Sequence, residues 1–272
     1  MAKGNNVVQE PTENDLLVEF ERKQIPQHYK PYYLTKRHNL FATIQQFPYI
    51  WNCFMHLDEI VQKEFDVMQR LRDPHLMLPM ILFMNAHQKM RVALELACST
   101  CLSEAHSLLR DAIESAAHGH RLASDPQLLK PWIEKNDSDA AKKIFSREFE
   151  YDKATRLFDG LPELLKLWKQ FSDFGSHTNI NSIVSRFVIN QTATDLEFRL
   201  NYLGGEPRVF VPALFEMILV FNEIEVTLFK LARSRLQLDT ELVDKRARFD
   251  KEKEVTRQLL IKTFNISPPS AP

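Results

Sequence analysis

Glycine is scarce in this chain: six in 272 residues, at positions 4, 119, 160, 175, 204 and 205. A phosphate-cradling loop needs clustered glycines at a strand-to-helix turn, because the backbone must approach the phosphates closely. Only Gly204 and Gly205 are adjacent, and they sit elsewhere in the pattern, which argues against the common nucleotide-binding loops. Cysteine is rarer still. Cys53, Cys98 and Cys101 make neither a disulfide framework nor a zinc set, as suits a reducing compartment. Cys98 and Cys101 follow a helical pattern instead of opening a helix after a strand, so they lack a thioredoxin-like context and read as small core residues. No second spaced pair completes a tetrahedral set around Cys98, Cys101 and His106, and Glu114 to His118 is one residue too long for a di-iron Glu-x-x-His pair. No metal and no cofactor are therefore expected.

An excess of either charge is also missing. Thirty-five Lys and Arg against 36 Asp and Glu leave a net charge of -1, so no global field draws the chain to nucleic acid or anionic lipid, and any such contact must be local. The most apolar run, LMLPMILFM at 76–84, is interrupted by Pro79 and too short to span a bilayer. The first fifteen residues lack the apolar centre of a secretory signal, so a cytoplasmic protein without membrane contact is expected. Gly-x-Ser-x-Gly is absent, which leaves a serine hydrolase unsupported.

What the sequence does contain is helical periodicity. With 44% hydrophobic residues it can bury a sizeable core. The expected organisation is a flexible lead over 1–25, a single helical domain over 26–262, and a disordered tail over 263–272. Prolines 26, 31 and 48 suggest an extended arm packed on the body over 26–48. Apolar residues at three- and four-residue steps predict helices from Ile50 to before Asp73, over 76–97 and over 102–123, the last two being separate or one kinked helix. Shorter helices are predicted over 127–135, 139–151 and 162–174, and another around Ile180 to Val188. The alternation Leu196, Phe198, Leu200, Tyr202, followed by Gly204-Gly205 and Val209 to Val211, signals a β-hairpin over about 195–211. After Pro212 a strongly apolar helix runs over 214–231. The stretch 239–262 carries only a thin stripe, Leu242, Phe249, Leu259 and Leu260, suited to solvent or to a partner. The fold class is thus mainly α, a helical bundle with one small hairpin, with self-association through the C-terminal helices as the expected assembly.

The segment HSLLRDAIESAAHGH places His106, Arg110, Glu114 and His118 four apart. On a helix, Leu102, Ala105, Leu109, Ala112, Ile113 and Ala116 form the apolar arc, and the polar ladder drifts from its edge onto the polar face. One reading is an Arg110–Glu114 ion pair with histidines on a solvated flank. The other is a polar cleft in which Glu114 orients a histidine and Arg110 holds an anion. The second wall of such a cleft is FSDFGSHTN, where Ser172, Ser176 and His177 surround the helix stop at Gly175.

The stretch CLSEAHSLLRDAIESAAHGHRLASDPQLLKPWIEKN, followed some fifty residues on by LLKLWKQFSDFGSHTN, resembles a widespread group of uncharacterised helical bacterial proteins. In that group a helix bearing Arg-x3-Glu, here Arg110 and Glu114, precedes a Ser-x4-His segment, here Ser172 and His177. The resemblance covers about residues 80–180 and implies a helical fold with a shared polar centre, without assigning an activity.

The leading functional expectation is a binding or interaction module whose cleft uses Arg110, Ser172 and Ser176 as ligand contacts. The alternative is a metal-independent hydrolase, ribonuclease-like and of a toxin or defence type, in which Arg110, Glu114, His118 and His177 are the catalytic residues. The Arg-x4-6-His motif of helical nucleic-acid-cleaving toxins is matched from Arg70 to His75, where Pro74 interrupts the helix that must present both side chains.

Overall fold

A computed structural model describes residues 18–20, 23–68, 73–150, 156–175, 187–192, 196–200, 207–233 and 240–265. It is mainly helical: α1 Lys30–Gln46, α2 Pro48–Met68, α3 Pro74–Cys98, α4 Leu102–Ser124, a 3-10 turn Pro126–Leu128 leading into α5 Leu129–Ile133, α6 Asp139–Phe149, α7 Pro162–Gly175, strands β1 Phe187–Gln191 and β2 Leu196–Leu200, α8 Pro207–Arg233 and α9 Thr240–Phe264. No described helix is long and apolar enough to cross a membrane.

The central pair is α3 and α4, the most extensively packed elements. Ala105, Ala112, Ala116 and Ala117 of α4 and Ala86, Ala93 and Ala97 of α3 are buried, and their small side chains let the two backbones approach closely. Gly119 marks the tightest point, where a Cβ would meet the Phe83 ring at 3.0 Å and the Pro79 carbonyl at 3.1 Å. Pro79 does not break α3. It lies in the second turn after Asp73, which caps the helix by accepting the His75 backbone N–H, so the ring displaces one interior hydrogen bond and the helix continues.

Between α3 and α4 the chain makes a tight stop, not a kink. Thr100 adopts φ 65°, Cys101 N–H donates to Leu96 O at 2.8 Å and Thr100 N–H to Ala97 O at 2.7 Å, the paired bonds of a left-handed helix terminus. A β-branched residue is costly in that conformation. Bonds from α1 hold the turn: Asn39 donates to Thr100 Oγ1, and Thr43 Oγ1 donates to Cys98 O.

Around this pair, α7 covers α4, α8 fills the space between α2, α3 and α4, and α9 lies along α2. The largest fully enclosed side chains, among them Phe83, Phe171, Phe221, Leu109 and Trp168's neighbour Leu164, form one continuous core. Each such side chain contributes roughly 1.5–3 kcal/mol when withdrawn from water.

Several sequence expectations need correction. Residues 30–46 form a helix, not an extended arm, because Pro31 occupies the first turn, where a missing N–H costs nothing. The hairpin over 195–211 does not form. β2 pairs antiparallel with the preceding segment, Phe187 opposite Leu200 and Gln191 opposite Leu196, while Val209 to Val211 lie inside α8. Phe187 and Val188 are accordingly strand, not helix. The thin stripe of α9 is occupied within the chain: Leu242, Phe249 and Leu260 are buried, and Lys63–Glu241, Lys245–Glu59 and His56–Glu252 pairs tie α9 to α2. Helix α9 also continues to Phe264, two residues into the expected tail.

Candidate functional site

The α4–α7 seam brings part of the expected cleft together. His106 packs against Phe171, with ring centroids 5.2 Å apart, and one turn on the Arg110 guanidinium lies 5.0 Å from the centre of the Trp168 ring. Trp168 is buried, so its ring is a fixed platform. The Glu114 carboxylate stands 4.0 Å from the Arg110 guanidinium, longer than a hydrogen bond. The Arg110 Nε is enclosed and bonds to no acceptor. Burial pulls the His106 pKa down, so its ring is held neutral. Ser172 is half-buried and donates to the Trp168 carbonyl at 2.7 Å. Ser176 and His177 lie outside the described residues.

His118 does not join this group. It is buried two turns beyond Arg110, about 12 Å along the axis at 1.5 Å per residue. Its ring sits among Trp132, Phe145 and Phe149, and Trp132 Nε1 donates to His118 Nδ1 at 2.9 Å. Burial, assisted by the Lys135 charge, pushes its pKa down to about 4. The solvated flank expected for His118 is therefore replaced by an aromatic cage. A neutral ring with one nitrogen committed to an indole is poorly placed for proton transfer at neutral pH. His120 is likewise held down, first by burial.

No family model, curated protein or solved structure matches this chain.

The strongest electrostatics lie elsewhere, in three clusters that the ladder did not foreshadow. Asp58 of α2 is buried and accepts two bonds from Arg91 of α3, from Nε at 2.8 Å and from the terminal nitrogen at 2.6 Å, while His87 Nε2 lies 2.7 Å from the same carboxylate. Burial alone would raise the Asp58 pKa, but the Arg91 and His87 bonds and charges outweigh it and hold the carboxyl at about 2. His87 is flanked by Phe65 and Phe221.

Glu64 of α2 and Glu225 of α8 share one cation, Arg246 of α9. The guanidinium bonds directly to Glu225, lies 3.5 Å from Glu64 and rests 4.3 Å above the Phe229 ring. Both carboxyls are 1% exposed. Desolvation pushes Glu64 up to about 8, with Arg246 pulling only partly the other way. Third, Glu148 of α6 accepts from Arg121, Arg147 and Arg156 at 2.7–2.8 Å. Burial opposes its ionisation, yet the three arginines hold it at about 2.

A signal for these clusters existed in the sequence. Asp58 and Glu64 fall on the apolar arc of α2 beside Leu57, Val61 and Phe65, and Glu225 on that of α8 beside Phe221 and Leu228. A charge on a core-facing arc requires a buried partner. Among the described residues no group of His, Cys, Asp and Glu is arranged to hold a metal ion.

Proposed function

We propose that this chain is a helical binding module that takes an anionic group at the α4–α7 seam, with Arg110 as its principal contact and Ser172 beside it. One observation carries the reading: Arg110 is a cation fixed over a buried tryptophan, its Nε without an acceptor and its nearest described carboxylate beyond hydrogen-bond length. Arg91, Arg121 and Arg246 each hold a carboxylate directly, so their charge is already spent on the fold. A guanidinium preorganised by stacking recognises carboxylate or phosphate oxygens with little further ordering. The caged His118 disfavours the hydrolytic alternative, which would then rest on His177 alone.

The test is thermal unfolding at fixed ionic strength with increasing inorganic phosphate. Ligand at about 100 times its dissociation constant adds about 2.7 kcal/mol, or roughly 5–10 °C for a domain of this size. Arg110→Met, which keeps the apolar stem over Trp168, should abolish the rise while leaving the ligand-free midpoint within about 2 °C. A rise of equal size in both proteins would refute the assignment to Arg110.

A further inference from the structure

The apolar stripe of α9, expected to serve self-association, is occupied inside the chain, but α3 leaves one uncovered. The buried side of α3, with Phe83, Ala86, Met90, Ala93 and Ala97, faces α4 and the core. At about 100° per residue, Met77, Ile81, Met84 and Gln88 fall within an arc of about 60° on the opposite side. Met77 is 67%, Ile81 53% and Met84 45% exposed, and Met77 is the most open large apolar side chain among the described residues. Val92 continues the stripe one turn beyond Gln88. Met80, at its edge, lines an apolar hollow with Met68, Leu76, Leu228 and Leu231, which carries the apolar surface on to α8.

Charge is absent from the same stretch. Between Asp73 and Lys89 the helix carries no Asp, Glu, Lys or Arg, and its exposed polar positions there are His75, Asn85 and Gln88. Depletion of charge and enrichment in methionine distinguish the centre of a protein interface from ordinary surface. A single exposed leucine needs no explanation, whereas three large apolar side chains on successive turns of one face form a patch of the kind that marks contact with another molecule.

We propose that two copies of the chain associate through this face, α3 against α3, antiparallel about a two-fold axis beside Ile81. An axis between Met80 and Ile81 sets Met77 of each copy opposite Met84 of the other and Ile81 opposite Met80, so the apolar members of the stripe meet one another and Gln88 lies at the rim. A two-fold contact requires a self-complementary patch of this sort, and unbranched methionines adapt to fill it. Each copy brings a net charge of only -1 and an uncharged stripe, so no repulsion opposes the pairing. A different protein that docks through charge finds no anchor over 74–88. A lipid surface suits the face less well, because interfacial helices carry Lys and Arg beside their apolar side. The uncharged stretch is about 21 Å long at 1.5 Å per residue. Its contact is therefore smaller than the roughly 800 Å² per partner of a standard interface, and the dimer is weak and concentration-dependent.

Sedimentation velocity on the full chain, from about 1 to about 200 µM, tests the proposal. The expected result is a sedimentation coefficient that rises with concentration from monomer to dimer. Ile81→Glu and Ile81→Lys should each weaken the dimer about a hundredfold, since each sets two like charges beside the axis, and an equimolar mixture of the two variants should recover it as a mixed pair. Val255→Glu, at an exposed position of α9, should change nothing. Because Ile81 is exposed, each variant should keep its helical content and thermal midpoint, which circular dichroism checks. The proposal is overturned by a monomer at every concentration, whether a different protein covers the stripe or none does. It is equally overturned by a dimer that Ile81→Glu leaves intact, by one that Val255→Glu dissolves, or by a mixture of the two Ile81 variants that stays monomeric.

Discussion

Replacing Glu64 by glutamine should make the protein more stable, and increasingly so as the pH rises. Glu64 is 1% exposed, 3.5 Å from the single guanidinium that Glu225 also contacts, and desolvation lifts its carboxyl from 4.5 to about 8. Below pH 4.5 both folded and unfolded chains hold this proton, and glutamine is nearly equivalent. Between pH 4.5 and about 8 only the folded chain holds it, so unfolding releases a proton and stability falls with rising pH. Above about 8 neither form holds it and the loss is complete. At 1.36 kcal/mol per pH unit, the difference between variant and wild type should grow from near zero below pH 4.5 to about 3 kcal/mol at pH 7 and about 4 kcal/mol at pH 8. The histidines act in the opposite sense: His118, held at about 4, weakens the fold as pH falls below 6.5, where only the unfolded chain takes up the proton. That contribution is common to both proteins and cancels in the difference. Urea unfolding followed by circular dichroism at pH 5, 6, 7 and 8 measures it. A difference that stays constant over this range, or shrinks with rising pH, would refute the assignment of the proton to Glu64.

Two further substitutions test the packing around this layer. Asp58→Asn turns one of the two oxygens that accept from Arg91 into a donor and removes the charge beside His87, and since Arg91 keeps 40% of its side chain in water the expected cost is about 3 kcal/mol, at the low end for a broken buried pair; an unfolding free energy within 1 kcal/mol of wild type would contradict the pairing. Gly119→Ala gains about 1 kcal/mol of helix propensity but drives a methyl to 3.0 Å from the Phe83 ring and 3.1 Å from the Pro79 carbonyl, so a net loss of about 1–2 kcal/mol is expected, partly recovered when Phe83→Leu is added. Stabilisation by Gly119→Ala alone would show that α3 and α4 are not pressed together there.

The helices of the core were legible because their apolar residues recur at three and four, and the stops agree with the pattern within a few residues at Pro74, Cys98, Ser124 and Gly175. Leu196, Phe198 and Leu200 do form a strand, but two adjacent segments compete to pair with it: the Gly204-Gly205 turn signal favours the following one, whereas the preceding residues 187–191 take the place and Pro207 opens a helix over the residues read as the return strand. The proline-rich entry to α1 looked extended only because Pro31 was not recognised as a first-turn residue. In the seam, the Arg110–Glu114 spacing was legible as an i,i+4 pair, whereas Trp168 beneath Arg110 and the cage around His118 depend on helices brought together by folding. The buried clusters were missed because each draws its members from two or three helices.

Those clusters follow one plan that also bears on function. In each, the carboxylate lies in the core and arginine reaches it from the rim: Asp58 from Arg91, Glu64 and Glu225 from Arg246, Glu148 from Arg121 with Arg147 and Arg156. Leucine and alanine arcs alone permit helices to slide by a turn with little change in buried area. A slide of one turn, about 5.4 Å, would separate a buried carboxyl from the arginine that reaches it across the helix interface, at a cost of several kcal/mol. The arrangement therefore penalises misregistration between α2 and α3, α2 and α8–α9, and α4 and α6 more than it adds net stability. By the same measure, a cation that secures no registration is the one open to a ligand. Arg110, beside a carboxylate 4.0 Å away and stacked over Trp168, meets that condition.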